Sequence, residues 1–183
     1  TQIDSKLDFS GKALYTLTSH KRTNSDTELT VKDTFTYSAQ DRVLTHTHQI
    51  NGWLEQLIAS NTYDELGQLT SKKVGGNDTT GATGLQKVDY NYNIRGWLKG
   101  INDTANLTQP NQPDDLFAFR INYNDYQSQG LRDVQPQALF NGNISSTYWK
   151  TSNDNFLRKY NYSYDNLNRL LLGSYLRPDT GVS

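Results

Sequence analysis

Polar and apolar positions alternate with a period of two along several short stretches of the chain. Thr34-Phe35-Thr36-Tyr37, Val88-Asp89-Tyr90-Asn91-Tyr92 and Lys159-Tyr160-Asn161-Tyr162-Ser163-Tyr164 are the clearest. Alternation sends successive side chains to opposite faces of an extended backbone, so it predicts strands packed on one face and wet on the other. Each stretch ends on a tyrosine. Four residues later stands Gly, Asn or Asp, and an apolar residue then restarts a strand. Helix content is predicted to be small. Residues 53–59 (WLEQLIA) are the best helical stretch, yet they follow Asn51-Gly52, a dipeptide that favours a hairpin turn and therefore strand.

These stretches are copies of one unit. Aligned on Tyr63, the eight residues YDELGQLT match YSAQDRVL from Tyr37, YNIRGWLK from Tyr92 and YDNLNRLL from Tyr164, with LDFSGKAL from Leu7 as a looser copy. The second position holds Asp8, Ser38, Asp64, Asn93 and Asp165. The fifth holds Gly11, Asp41, Gly67, Gly96 and Asn168. The sixth holds Lys12, Arg42, Gln68, Trp97 and Arg169, and the seventh Ala13, Val43, Leu69, Leu98 and Leu170. Asp, Asn or Ser opens a type I turn by bonding the backbone two residues on. Gly, Asn and Asp are the residues that tolerate positive φ. A type I turn closed by a left-handed residue is a standard hairpin connection, so the unit reads as strand, tight turn, strand. Two positions ahead of the anchor, Phe35, Tyr90 and Tyr162 share its strand face, which predicts an aromatic ladder where units stack; Asn61 breaks the pattern.

Second turns join the units. Asn51-Gly52, and Asn141-Gly142 between Leu139-Phe140 and Ile144, both read as type I′ hairpin turns, and Gly75-Gly76 starts a looser loop through Gly84. The predicted architecture is an all-β antiparallel meander of hairpins forming part of a curved sheet. Anchors lie 30, 26, 29 and then 72 residues apart. The long interval holds irregular insertions at about 102–116 and 124–137, with three of the chain's four prolines. Tyr123-Asn124 starts like a copy but has no Gly, Asn or Asp at the fifth position, and reads as a degenerate copy followed by a loop insertion. Residues 1–183 are otherwise taken as one repeat segment.

Composition changes this picture in one respect. Hydrophobic residues make up 34 % of the chain and 12 of them are tyrosines, with a mean hydropathy of −0.79. Aliphatic side chains are too sparse for a thick two-sided core. Tyrosine buries its ring but wants a partner at its hydroxyl, so the sheets are expected to have one wet face or to wrap a solvated space. The 18 basic and 19 acidic residues are interspersed, which leaves no electrostatic footprint for nucleic acid or an anionic membrane. The absence of cysteine removes disulfides and thiolate chemistry. No apolar run approaches the roughly 18 residues of a membrane span. The chain begins without Met and shows no signal peptide, and so reads as a soluble segment of a longer protein.

The unit of Tyr-Asp, Gly four residues after Tyr, then a long residue and Leu resembles the YD repeat of the RHS/YD-repeat family. TYDELGQL and SYDNLNRLL carry the match best, while DFSGKAL, NIRGWLKGIND and NGNISSTYWK look like blocks common in RHS proteins of Bacteroidetes-type bacteria. The resemblance implies a hollow β-shell from a secreted or surface bacterial protein, extracellular in location. In polymorphic toxins of the family the shell encloses a C-terminal effector; in related surface proteins it serves adhesion or carbohydrate binding. The family's DPxGxxDP-like autoproteolytic motif is absent, since Arg177-Pro178-Asp179-Thr180-Gly181 does not match it. The segment is therefore expected to be shell wall, with neighbouring repeats, an enclosed effector or a surface glycan as partners.

Candidate chemistry is sparse. His46 and His48 share a strand face and could join His20 or Asp41 around a metal, but two histidines without a third placed ligand make strand residues the simpler reading, and no metal or cofactor is assigned. Asp114-Asp115 and Asp64-Glu65 are adjacent carboxylates in turns, which do not face one another as an acid–base pair must. GxSxG, HExxH, GxxxxGK[ST] and GxGxxG are all missing. No catalytic residue is assigned, and the chain is expected to be non-enzymatic. Trp53, Trp97 and Trp149 are candidates for stacking on sugar rings, the basis of an alternative carbohydrate- or surface-binding function; their regular spacing favours cross-strand packing.

Overall fold

The computed structural model describes residues 1–110, 112–125 and 137–176. Residues 177–181, compared above with the family's terminal motif, and most of the 124–137 insertion lie outside the described residues. All described regular structure is β. The chain divides into two compact units, Thr1–Lys87 and Val88–Ser183. The first carries β1 (Gln2–Leu7), β2 (Ala13–His20), β3 (Leu29–Tyr37), β4 (Val43–Ile50), β5 (Gln56–Tyr63) and β6 (Leu69–Val74). The unit boundary falls inside β7 (Gln86–Tyr92). The second unit continues with β8 (Leu98–Ile101), β9 (Phe117–Asn122), β10 (Ser146–Thr151), β11 (Arg158–Tyr164) and β12 (Leu170–Leu176). Within each unit the strands pair antiparallel in chain order, the meander that the alternation predicts.

Residues 53–59 show how context settles an ambiguous stretch. Asn51 and Gly52 both take positive φ, 50° and 72°, and the Trp53 N–H donates to the Ile50 carbonyl at 2.8 Å, a type I′ turn. The chain leaves it as strand β5. Leu57 and Ala59 then face inward, 1 % and 8 % exposed, while Ile58 between them faces out.

The interior is thin and largely polar. In the second unit Asn122, Ser146 and Lys159 are fully buried beside Tyr148 and Ala118. Burying polar groups is tolerable only when they are bonded. Asn122 Nδ2 donates to Ser146 Oγ at 3.1 Å, and the Lys159 ammonium lies 5.1 Å from the centre of the Tyr148 ring. This is the structural counterpart of a composition poor in aliphatic residues.

The hairpin within each uninterrupted copy carries the same irregularity. The first position pairs with the seventh: Leu7 with Ala13, Tyr37 with Val43, Tyr63 with Leu69, Tyr92 with Leu98 and Tyr164 with Leu170. The residue just before the first pairs with the ninth, for example Thr62 with Ser71. The eighth residue is therefore extra, a β-bulge on the strand that leaves the turn, occupied by Leu14, Leu44, Thr70, Lys99 and Leu171. Bulges bend a strand and increase its twist.

The same register exposes a sixth copy. Asn122 pairs with Ser146, which makes Ser146 a ninth position and Gly142 a fifth. Gly142 takes φ 95°, whereas Asn141 is not left-handed. The type I′ hairpin predicted at Asn141-Gly142 is therefore wrong, and Leu139-Phe140 is not a strand. Asn-Gly stands here because a fifth position needs the glycine. Tyr123 is the anchor of this copy, with residues 125–141 inserted where other copies have two residues. Each unit thus holds three copies, led by Leu7, Tyr37 and Tyr63 in the first and by Tyr92, Tyr123 and Tyr164 in the second.

Candidate functional site: the junctions between copies

The turns share one frame. In every uninterrupted copy the second residue's N–H donates to the sixth carbonyl, and the fifth N–H donates back to the second carbonyl. For Tyr63 these are Asp64 to Gln68 and Gly67 to Asp64, both 3.0 Å, with equivalent pairs at Asp8, Ser38, Asn93 and Asp165. The second side chain then accepts the sixth N–H, as Asp64 does from Gln68 at 2.8 Å and Asn93 from Trp97 at 3.0 Å. The fifth residues Gly11, Asp41, Gly67, Gly96 and Asn168 all lie at φ between 61° and 87°. The Asp8 carboxyl is held at about 2, chiefly by the Lys12 backbone N–H, with Ser10 and the Lys12 ammonium adding to it. Asp165 is lowered in the same way by Arg169. These aspartates are structural acceptors.

The copies meet through the anchor. The Tyr37 hydroxyl donates to the Ala13 carbonyl at 2.8 Å, Tyr63 to Val43 at 3.0 Å, Tyr123 to Leu98 at 3.2 Å and Tyr164 to Ile144 at 2.9 Å. In each case the acceptor is the seventh residue of the preceding copy. Burial raises the Tyr123 and Tyr164 hydroxyls above their ordinary value, so they remain protonated donors.

The sixth side chain of the preceding copy covers the same junction. The Lys12 ammonium lies 5.5 Å from the centre of the Tyr37 ring and also contacts Asp41. The Arg42 guanidinium lies 5.8 Å from the Tyr63 ring and rests on Gly67, where an added Cβ would overlap it. Trp97 meets the Tyr123 ring at 5.2 Å and rests on Gly142, where a Cβ would stand 2.9 Å from the indole. Asn143 donates to Asn168 Oδ1 at 3.1 Å. Within each unit the sixth side chain reaches the first ring, the fifth residue or both in the copy that follows.

This corrects the predicted aromatic ladder. What covers Tyr37, Tyr63 and Tyr123 is a cation or an indole from the preceding sixth position. Phe35 stacks instead on His46, with ring centres 4.6 Å apart. Tyr162 stacks on Tyr160, which joins Trp149 and Tyr175 in a separate cluster.

The other sequence candidates are dispersed. His46 Nε2 and His48 Nδ1 do share a face, but both bond one oxygen of Asp33, at 2.8 and 2.9 Å. Donors around a tetrahedral ion at about 2.0 Å stand roughly 3.3 Å apart, so this is a hydrogen-bonded clamp. Burial raises the Asp33 carboxyl, and the hydrogen bonds and charge of His48 and His46 outweigh it, leaving a net lowering. His20 bonds Thr1, and Asp41 serves the first junction. Among the described residues no group of three or more His, Asp or Glu side chains is arranged to hold a metal. Asp115 is buried and accepts from Gln109 Nε2 at 2.8 Å, while Asp114 is exposed. Of the three tryptophans, Trp97 and Trp149 are packed against tyrosines, and Trp53 is 71 % exposed on its turn.

Three open hollows lie among the described residues of the second unit, the smallest, about 150 Å³, beside Trp97 and Tyr123. Another, about 400 Å³, is lined by Tyr162, Tyr164 and the amides of Asn141, Asn143 and Asn168. It also holds Ser163, Ser174 and Asp165, whose carboxylate is already engaged by the Leu167 and Arg169 N–H groups. The third, about 580 Å³, lies over β8 and β9 near Lys99 and Arg120.

No family model and no curated protein matches the chain. Among solved structures it is similar to a chain of the crystal structure of TcdB2–TccC3–Cdc42, at 16 % identity and a TM-score of 0.33, and to one of TcdB2–TccC3–TEV, at 15 % and 0.30. Each match covers 96 % of this chain and 11 % of the other. The chain spans about one-ninth of those chains' length, and likenesses at this level carry no weight for function.

Proposed function

We propose that the chain is a non-enzymatic wall segment of an RHS/YD-repeat shell, part of a larger secreted or surface bacterial protein, whose work is to hold a sheet of fixed geometry around an enclosed partner such as an effector domain. The observation that supports this is the junction. Four times, a tyrosine hydroxyl is spent on the preceding copy's backbone and a sixth side chain is spent on the following copy. Residues committed to one another in this periodic way build architecture. A thin, largely polar interior suits a wall that borders solvent on both sides of its sheet.

The test is loss of a junction without loss of bulk. Tyr63→Phe and Tyr164→Phe each remove one hydroxyl; the Ile144 carbonyl then loses its tyrosine donor, while the Val43 carbonyl keeps Asn61 Nδ2 at 3.0 Å, so Tyr164→Phe is expected to lower unfolding free energy by about 1 kcal/mol in urea titrations and Tyr63→Phe by less. Unchanged stability in both variants would overturn the wall reading. A glycan array with the chain addresses the alternative: binding that Trp53→Ala abolishes with the fold intact would replace a wall by a carbohydrate-binding module.

A further inference from the structure

The chain holds three pairs of adjacent basic residues, Lys21-Arg22, Lys72-Lys73 and Arg158-Lys159. Two of them are built into strands. Lys72 and Lys73 lie in β6, and Lys73 Nζ donates to the Ala82 carbonyl at 2.6 Å. Arg158 and Lys159 open β11, where Asp154 pairs with the guanidinium and Lys159 is fully buried. Lys21-Arg22 stands instead in the connection between β2 and β3, where residues 20–29 are all exposed. Among the described residues neither of its side chains has a hydrogen-bond or ion-pair partner. The connection turns just past the pair. There the Asp26 N–H donates to the Thr23 carbonyl at 3.2 Å, and the Thr23 N–H donates to Asp26 Oδ2 at 2.9 Å.

An exposed polar loop gives an endoprotease a backbone that it can extend in its cleft. A bond inside a strand is reached only through local opening. Two features single out the bond after Arg22. A cleft lined by carboxylates would take both neighbouring cations at once. The nitrogen that cleavage there releases is the Thr23 nitrogen, which Asp26 already holds.

We propose that the Arg22–Thr23 bond is a processing site for an endoprotease that reads paired basic residues, and that the new terminus docks on Asp26. One water adds across the amide. The C–N bond breaks, leaving a carboxylate on Arg22 and an ammonium on Thr23. The Thr23-to-Asp26 hydrogen bond then becomes charge-assisted, stronger than the neutral one it replaces. The two pieces stay together, because β2 pairs with β3 at six positions and the Tyr37 hydroxyl donates to the Ala13 carbonyl across the cut. Processing thus exchanges a covalent link between two strands for a non-covalent one with the sheet in place. The proposal is independent of the wall reading, which fails separately through unchanged stability of the Tyr63→Phe and Tyr164→Phe chains.

Intact-mass spectrometry of the folded chain treated with a dibasic-specific endoprotease tests the site. Cleavage after Arg22 is expected at least about tenfold faster than at Lys72-Lys73 or Arg158-Lys159, and Lys21→Gln with Arg22→Gln abolishes it. Equal rates at the three pairs, or cleavage after Arg22 only once urea has unfolded the chain, overturns the proposal. The cut chain is expected to elute as one species in size-exclusion chromatography and to separate in urea; separation without urea overturns it. Docking is read from the Thr23 amine. Near pH 7 an acylating reagent should label it about threefold faster in the cut Asp26→Asn chain than in the cut parent, because an amine without a carboxylate beside it loses its proton more readily. If Asp26→Asn does not fold, about 1 M salt replaces it and is expected to speed labelling of the cut parent chain. Equal labelling in the comparison made overturns the docking.

Discussion

The two units build the same junction from different chemistry. In the first, the tyrosines of successive copies are covered by Lys12 and Arg42; in the second, by Trp97, with Asn143 bonding the following Asn168. The backbone parts do not vary: a left-handed fifth residue, a carbonyl at the seventh and a hydroxyl at the first. A cation over a ring and an indole against a ring are both attractive and both flat enough to lie in the groove between hairpins. The constant elements are those with one geometric solution, and the variable column is where several side chains do the same work.

The sharpest way to break this equivalence is to remove the covering side chain from each unit. Trp97→Ala loses a large packed surface on Tyr123 and Gly142 and should cost about 2 kcal/mol in urea unfolding. Next come the glycines. Gly11, Gly67 and Gly142 share positive φ but not surroundings: a Cβ at Gly11 meets nothing within 4 Å, at Gly67 the Arg42 guanidinium, and at Gly142 the Trp97 ring. Alanine should cost about 1 kcal/mol at Gly11 from backbone alone, and up to about 2 kcal/mol at Gly142, with Gly67 between because arginine can swing away. Equal costs at all three would mean that the sixth side chain contributes nothing to the junction. Arg42→Ala should cost only about 0.5 kcal/mol, and that loss should shrink in about 1 M salt, whereas the Trp97→Ala loss should not.

The smallest effect is titrational. Asp8, Asp78 and Asp154 are each held at about 2, below the ordinary carboxylate value. For a carboxyl whose folded value lies below its unfolded one, the contribution to stability is present above about pH 4 and is lost as pH falls toward about 2. Unfolding midpoints should therefore decline over that window, and Asp8→Asn, which keeps the acceptor but cannot titrate, should flatten the decline slightly.

Strands and turns are legible in the sequence because their causes are local. Alternation around Tyr90 or Tyr162 needs only the pleat, and Gly or Asn four residues after an anchor needs only φ. What depends on neighbours is not legible. The bulge residue is Leu14, Leu44, Thr70, Lys99 or Leu171, a column with no shared chemistry, so only the register reveals it. The Tyr123 copy is hidden because its fifth residue, Gly142, stands far from its second, Asn124. The Asp33 partner of His46 and His48 lies on another strand. The tyrosines stand out in the sequence for their rings, while at the junctions their hydroxyls define the contact. The site of proposed function is an interface between copies, and interfaces leave little trace in one copy read alone.

The insertion at residues 125–141 sits at the third and fourth positions of its unit, the tip of the hairpin. In the other copies those positions are exposed, Phe9 and Leu66 among them, although Arg95 lies over the Trp97 ring at 5.2 Å. The hairpin tip thus behaves as a grafting port. A segment placed there replaces the turn frame but leaves the junctions on either side intact, as the Tyr123 bond to Leu98 and the Tyr164 bond to Ile144 show, so this copy has gained surface without losing its contacts to its neighbours.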